Sequence, residues 1–237
     1  MKLSFPLFLV VLLSYAFLHA QEGTVAEIKL EGLKKTKPAA LEKLLELKVG
    51  MFVDSVLLEK DITRLKRLPS VSHAYYMVVA RKDKKYDVTY TIEENFTIIP
   101  FANLFSSAND DFAFRIGLQE FNFLGSNITL GGFYQLDVFN SYGFSIRAPY
   151  LFSNKLGLAF NYNDFTTQEP VFFSDDTADY RYSNTGFELL GMYEFNFKNR
   201  MELGFSLFTE DYHYLDGATM INMPLALYAD KHLFKLI

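Results

Sequence analysis

From Phe112 onward the sequence alternates, and this pattern limits the fold more than any other feature of the chain. Phe112, Phe114, Ile116 and Leu118 alternate with Ala113, Arg115, Gly117 and Gln119. The same two-residue period recurs from Ile128 to Val138, Tyr142 to Tyr150, Leu156 to Tyr162, Phe187 to Phe197 and Met201 to Leu207. Ile221, Met223, Leu225 and Leu227 continue it, with Pro224 interrupting, and Phe96 to Phe105 is a further, poorly phased segment. Period two means strands with one face unlike the other. The count is about eight strands of near ten residues. One face is large and apolar, the other Gly, Asn, Ser, Gln, Glu and Arg. No apolar run reaches the 18 or so residues of a membrane-crossing helix.

Composition divides the chain at the same place. Residues 21–95 carry 14 basic and 12 acidic residues and 5 aromatics, whereas residues 96–237 carry 8 basic and 16 acidic residues and 31 aromatics. A soluble domain hides its apolar face in a core; a membrane barrel turns it to lipid and keeps the polar face inside. The aromatic density favours the barrel, with Phe123, Phe139, Tyr150, Phe152 and Phe197 at strand ends as interfacial girdles. Connection lengths agree. With the N-terminal domain in the periplasm, the inner turns are Leu124–Asn127, Phe152–Lys155 and Lys198–Arg200, all short. The outer loops are Ser106–Asp111, Asn140–Ser141, Thr166–Arg181 and Asp211–Ala218, mostly longer, as in outer-membrane barrels.

Residues 1–20 read as a secretory signal peptide: Met1-Lys2, an apolar stretch from Phe5 to Phe17, then Ala20 before Gln21. The chain has no Cys. Disulfides, Cys-based metal sites and thiol nucleophiles are therefore excluded. The net charge of −5 argues against nucleic acid as a partner.

Residues 21–95 read as β-α-α-β-β. Ala26, Ile28 and Leu30 alternate in a first strand that Gly32 ends. Thr36 is placed to cap a helix with Pro38 in its first turn and Leu41, Leu44 and Leu45 on one face. Gly50 breaks it. Asp54 or Ser55 caps a second helix carrying Leu58, Ile62 and Leu65, ended by Pro69. His73–Arg81 and Tyr86–Ile92 are strands around the turn Lys82–Lys85. Two helices on one face of three strands form an α+β domain.

This segment resembles a POTRA (polypeptide-transport-associated) domain in Ile28-Lys29-Leu30-Glu31-Gly32 with Thr36, in Gly50, Leu65 and Val71, and in Val88–Glu94. The Gly-Leu-Phe-like step that members often have after the second helix is replaced by Arg67-Leu68-Pro69-Ser70-Val71. With the signal and the aromatic-rich barrel, the chain is similar to the BamA/TamA-type outer-membrane assembly factors, also called bacterial surface antigens. Gln119–Gly125 looks like their turn after the second barrel strand, and Ala148-Pro149-Tyr150-Leu151 like a later aromatic-Pro step.

The resemblance implies 1–20 as signal, 21–95 as POTRA domain and 96–237 as the N-terminal half of an antiparallel transmembrane β-barrel. Family barrels have sixteen strands, an Arg-Gly-Phe loop and a terminal aromatic, so a truncated barrel is expected over a self-closed one of eight strands. It implies outer-membrane protein assembly or polypeptide translocation, with unfolded outer-membrane or secreted polypeptides, outer-membrane lipid and periplasmic accessory subunits as partners. Clients would pair with the backbone of His73, Tyr75, Met77, Val79 and Arg81, and a seam near Ile98–Phe105 would open laterally. Arg115, Arg147, Glu188, Glu194 and Glu202 are expected to face the lumen, most simply as ion pairs. The alternative is a non-transporting structural or adhesive barrel with a periplasmic tether.

No enzyme is expected: the sequence has no recognisable Ser-His-acid set, phosphate loop or paired-carboxylate site. No cofactor is expected either. His73, His213 and His232 lack ligand-spaced partners, and Asp175, Asp176 and Asp179 read as a solvated loop.

Overall fold

The computed structural model describes residues 23–107, 112–172, 177–217 and 224–237. The signal-peptide reading, the strand residues Ile221 and Met223, the loop residues Asp175 and Asp176 and part of each loop at 106–111 and 211–218 lie outside the described residues. Contacts divide the chain into two compact units. The first comprises residues up to Leu33, Leu45–Arg67 and Val71–Glu93; the second comprises Lys34–Leu44, Leu68–Ser70 and Glu94–Ile237.

The first unit is built on three strands, β1 (Thr24–Glu31), β2 (Val71–Ala80) and β3 (Lys85–Glu94), in the order β1-β3-β2. β1 runs parallel to β3. Between β1 and β2 the chain forms two helices, α1 (Pro38–Glu42) and α2 (Ser55–Lys66). The expected β-α-α-β-β order is present. Asp54 caps α2, its side chain accepting a hydrogen bond from the Val56 N–H at 2.7 Å. The apolar stripe Leu58, Ile62 and Leu65 is buried, as are Val88, Tyr90 and Ile92 on one face of β3 and Ala74 on β2. Burying each such side chain contributes roughly 1.5–3 kcal/mol, which is what holds so small a core. Arg81 N–H to Lys85 O at 2.7 Å closes the β2–β3 hairpin, with Asp83 and Lys84 at positive φ.

The first helix departs from its expectation. α1 covers five residues, its N-cap is Lys37 without a side-chain bond, and Thr36 caps nothing. Instead the Thr36 hydroxyl accepts from Asn122 Nδ2 at 2.8 Å within the second unit. Leu41, Leu44 and Leu45 are all buried, but only Leu41 lies in the helix. The chain after it is held by a side chain. In the first unit, Asp61 on α2 accepts from the N–H groups of Glu46 and Leu47 at 2.6 and 3.1 Å. Those donors need no further helical turn to be satisfied.

The second unit is an eight-stranded antiparallel meander with strand order β11-β10-β9-β8-β7-β6-β5-β4. Its strands are β4 (Ile98–Ser106), β5 (Phe112–Phe123), β6 (Ile128–Leu136), β7 (Asn140–Ala148), β8 (Leu156–Phe172), β9 (Thr177–Glu194), β10 (Arg200–Gly217) and β11 (Ala226–Leu236). Eight strands are expected and eight are present among the described residues, but β11 begins only at the end of the expected segment Ile221–Leu227 and runs on to Leu236. β4 and β11 end the sheet, and the described ladders do not join them. No helix of the described residues is long and apolar enough to cross a membrane.

Three expected loops are strands. Asn140–Ser141 opens β7, the described part of Thr166–Arg181 belongs to β8 and β9, and Asp211–Gly217 belongs to β10. Apolar periodicity fails there, so sequence reasoning ended the strands early. Thr, Tyr, Val and Phe still favour extended backbone, and tyrosines meet across the ladder. Tyr182 faces Tyr212 with ring centroids 4.8 Å apart, and Tyr180 faces Tyr214 at 5.9 Å. The turn at Leu124–Asn127 is as expected. Leu124, Gly125 and Asn127 have positive φ, and a Cβ on Gly125 would come within 2.3 Å of the Lys35 carbonyl. That approach lets Lys37 N–H bond Gly125 O at 2.8 Å, so the strap Lys34–Leu44 is fastened to the turn.

Candidate functional site

Three features carry functional possibilities: the outer strand of the small sheet, the polar face of the large sheet, and the large sheet's two terminal strands. β2 is an end strand, so one of its backbone edges has no neighbouring strand within its sheet. Tyr75, Met77 and Val79 are about half exposed, at 52%, 57% and 47%. They point away from the helices, opposite the buried Ala74, and line an apolar stripe beside polar β3 and β1 residues. His73 is exposed, with Nδ1 2.6 Å from the Ser72 carbonyl. Arg81 reaches across the open face to Asp87 at 2.5 Å and Glu27 at 2.7 Å. The Asp87 contact, reinforced by Glu27, pushes the guanidinium pKa up.

At the turn that follows β2 the Arg81 N–H is committed to Lys85 on β3.

The same small sheet contains a buried polar clasp. Asp61 is 1% exposed and also accepts from the Tyr90 hydroxyl at 2.9 Å. Burial raises the Asp61 pKa, and the hydrogen bonds from Glu46, Leu47 and Tyr90 only partly counter it. Burial and the neighbouring carboxylate push the Tyr90 hydroxyl up as well. This clasp fixes the loop before α2 to the helix and to β3; nothing about it is placed for catalysis.

In the large sheet the two faces separate by chemistry. Ile116, Leu118, Phe144, Ile146 and Leu203 on the apolar face are each 39–56% exposed. On the other face Gln135, Ser141 and Glu202 are at most 9% exposed. All eight strands contribute to a cavity of about 450 Å³ on this polar side, lined among others by Arg115, Gln119, Asn161, Glu188 and Ser206. Arg147 on β7 pairs with Glu202 on β10, and Glu188 on β9 pairs with Lys235 on β11 and accepts from Asn161 at 2.8 Å. Arg115 lies 3.7 Å over the Phe133 ring. Glu194 is 3.6 Å from Arg200 and accepts from the Tyr150 hydroxyl at 3.0 Å. Each of the five expected lumen charges thus has a charged or aromatic neighbour on the polar side. The sequence missed the partner Lys235, because β11 was the least regular segment.

Among the described residues no group of three His, Asp or Glu is placed to hold a metal. His213 meets only Asp211, at 3.2 Å.

Known proteins match this geometry. Residues 23–95 match the POTRA family model, described as surface antigen variable number repeat. No curated protein matches the chain. Among solved structures, BamA from Haemophilus ducreyi lacking POTRA domains 1–3 is similar with a TM-score of 0.62 and 18% identity, over 82% of this chain and 37% of that one. CdiB from Acinetobacter baumannii is similar with a TM-score of 0.54 and 18% identity, over 90% of this chain and 40% of its own. CdiB from Escherichia coli gives 0.54 and 14%, over 82% and 38%. The chain therefore spans about two fifths of the length of these structures. The family match covers residues 23–95, and the likeness to the solved structures is one of fold: a POTRA-like domain followed by part of a barrel sheet.

Proposed function

We propose that this chain acts at the bacterial outer membrane in the assembly or translocation of polypeptides, with its POTRA domain in the periplasm. The observation that carries the reading is the pairing, in one chain, of a POTRA domain with a sheet whose apolar face is outward and whose polar face encloses a cavity. Only lipid makes that second arrangement favourable, because exposed apolar area of this extent is costly in water. The domains are taken as residues 1–20 signal, 21–95 POTRA and 96–237 barrel, with Arg115, Arg147, Glu188, Glu194 and Glu202 as lumen-facing charges.

A client strand would add to the open edge of β2; counted by alternation from the Arg81–Lys85 bond, the free backbone there would be that of Ala74, Tyr76, Val78 and Ala80 rather than that of His73, Tyr75, Met77, Val79 and Arg81. Tyr75, Met77 and Val79 would flank the neighbouring positions of an incoming chain. β4 would be the seam strand. Partners are then unfolded outer-membrane or secreted polypeptides, membrane lipid and periplasmic accessory subunits. No step requires an enzyme active site or a cofactor.

Val78→Pro tests the edge. It removes an outward N–H and leaves the β2–β3 ladder in place. The expected result is an unchanged melting curve with loss of binding to an extended, β-prone peptide. Undiminished binding contradicts the edge-pairing role. Depletion of the full-length protein tests the assembly role: unchanged levels of all other outer-membrane proteins contradict it.

A second reading, a non-transporting barrel, draws on one observation. β4 and β11 line the same cavity through Phe101 and Lys235. Purified protein that runs as a heat-modifiable, closed eight-stranded monomer favours this reading.

A further inference from the structure

The apolar face of the large sheet is an oblique band, and its slope locates where the membrane ends. Residues paired across successive strands lie on a line perpendicular to them. One outward-facing line begins Ala102, Ile116, Tyr134 and Tyr142 and continues Asp164, Thr185, Thr209 and Asp230. It passes from apolar, through two tyrosines, to wholly polar between β7 and β8. The line two residues nearer the ends of β4 and β6 reads Leu104, Phe114 and Leu136 and turns polar one strand sooner, at Asn140. Two residues the other way, Leu118, Phe144, Tyr162, Phe187 and Leu207 stay apolar or aromatic until His232 on β11.

The apolar margin thus falls four residues over about four strands. With about 3.3 Å per residue and about 4.8 Å between strands, that slope is about 35°, at the low end of the tilt of membrane-spanning strands. A margin that falls strand by strand is what a tilted sheet in a bilayer requires. A soluble sheet has no reason to offset its apolar band strand by strand.

Resting on the reading of this sheet as membrane-inserted, we infer that the distal parts of β8, β9 and β10, from Asp164, to Thr185 and from Thr209, together with β11 up to His232, form a folded sheet outside the bilayer, on the external side. A crossing strand needs about 9–11 residues, and these three have 17 or 18. Their amphipathicity inverts at the margin. Below it the outward face is apolar and the inward face polar. Above it the outward face carries Asp164, Thr185, Thr209 and Asp211. The inward face there carries Tyr180, Tyr182, Tyr212 and Tyr214, with Tyr180 fully buried. That is the pattern of a sheet in water with its own aromatic core. The expected external loops are therefore a rigid blade rather than loops.

The absence of Cys makes the test direct. Single-cysteine variants of Ile116, Tyr134, Asp164 and Thr209, all on one perpendicular line, are reconstituted in phosphatidylcholine vesicles and treated with a membrane-impermeant maleimide. Phe160→Cys and Leu207→Cys serve as controls inside the band. The expected result is labelling at Asp164 and Thr209 at least tenfold faster than at Ile116 and Tyr134, with the difference abolished in detergent. Equal rates along the line, with the two controls protected, overturn the oblique margin and the external blade. Free labelling of the controls without detergent overturns the membrane reading itself.

Discussion

The small and large sheets use the same alternation and bury opposite halves of it. On β3 the apolar residues Val88, Tyr90 and Ile92 are at most 1% exposed and their neighbours face water. On β7 the apolar residues Tyr142, Phe144 and Ile146 are 39–47% exposed, and the intervening Ser141 is fully buried. Period two identifies a strand and its two faces but does not say which face meets solvent; the solvent decides that. For the small sheet the arbiter is α2, whose apolar stripe Leu58, Ile62 and Leu65 is buried. Among the described residues no element covers the apolar face of the large sheet, and its aromatic density exceeds what isolated exposed residues show.

The largest expected effect lies in the small sheet. Leu65→Ala should cost about 2–5 kcal/mol, read as a lowered melting point, because it empties a fully packed site. The same truncation outward on β7, Ile146→Ala, should leave the melting point in detergent nearly unchanged. Next comes Ile146→Arg, which should cost about 2–4 kcal/mol of membrane insertion if the residue lies near mid-bilayer. Its measure is the folded fraction recovered on refolding into lipid vesicles. Equal recovery of the Arg variant and the parent chain would break the comparison.

Asp61→Ala leaves three buried donors without their acceptor and should destabilise the small sheet by about 1–3 kcal/mol in chemical denaturation. Asp54→Ala removes a helix cap and should cost about 1 kcal/mol. Acidity separates the two units more gently. The Asp61 pKa is raised, so its contribution is fully present below the ordinary carboxyl value and is lost as pH rises through the raised one. Glu94 behaves oppositely. Burial would raise its pKa, but the Thr36 hydroxyl and the N–H groups of Thr36, Lys35 and Lys34 outweigh that and hold it low. Its contribution is present above the ordinary value and is lost as pH falls. Melting of Asp61→Asn should therefore vary less with pH than the parent at mild acidity, and melting of Glu94→Gln less than the parent at stronger acidity.

Much of this was legible in the sequence, for identifiable reasons. Alternation located seven of the eight sheet strands, the expected last segment meeting β11 only at Ala226 and Leu227, and Gly50, Asp54 and Pro69 bounded the second helix by chemistry that acts locally. Thr36 misled because its partner, Asn122, lies 86 residues away. The distal halves of β8 to β10 were hidden because they alternate Tyr with Thr, Ser and Asp, which resembles loop composition. The charges on the polar face could be chosen by phase alone. Their partners could not, since Arg147 with Glu202 and Glu188 with Lys235 skip strands, and only the curvature of the sheet brings them together.

The central claim is that the large sheet turns its apolar face to lipid. Single cysteines at Ile146, Phe160 and Leu189, and at their inward neighbours Ser145, Asn161 and Glu188, can each carry a small environment-sensitive fluorophore in vesicles containing a lipid-chain quencher. The account predicts strong quenching at the first three positions and weak quenching at the second three. Equal quenching in both sets, or the reverse order, contradicts it.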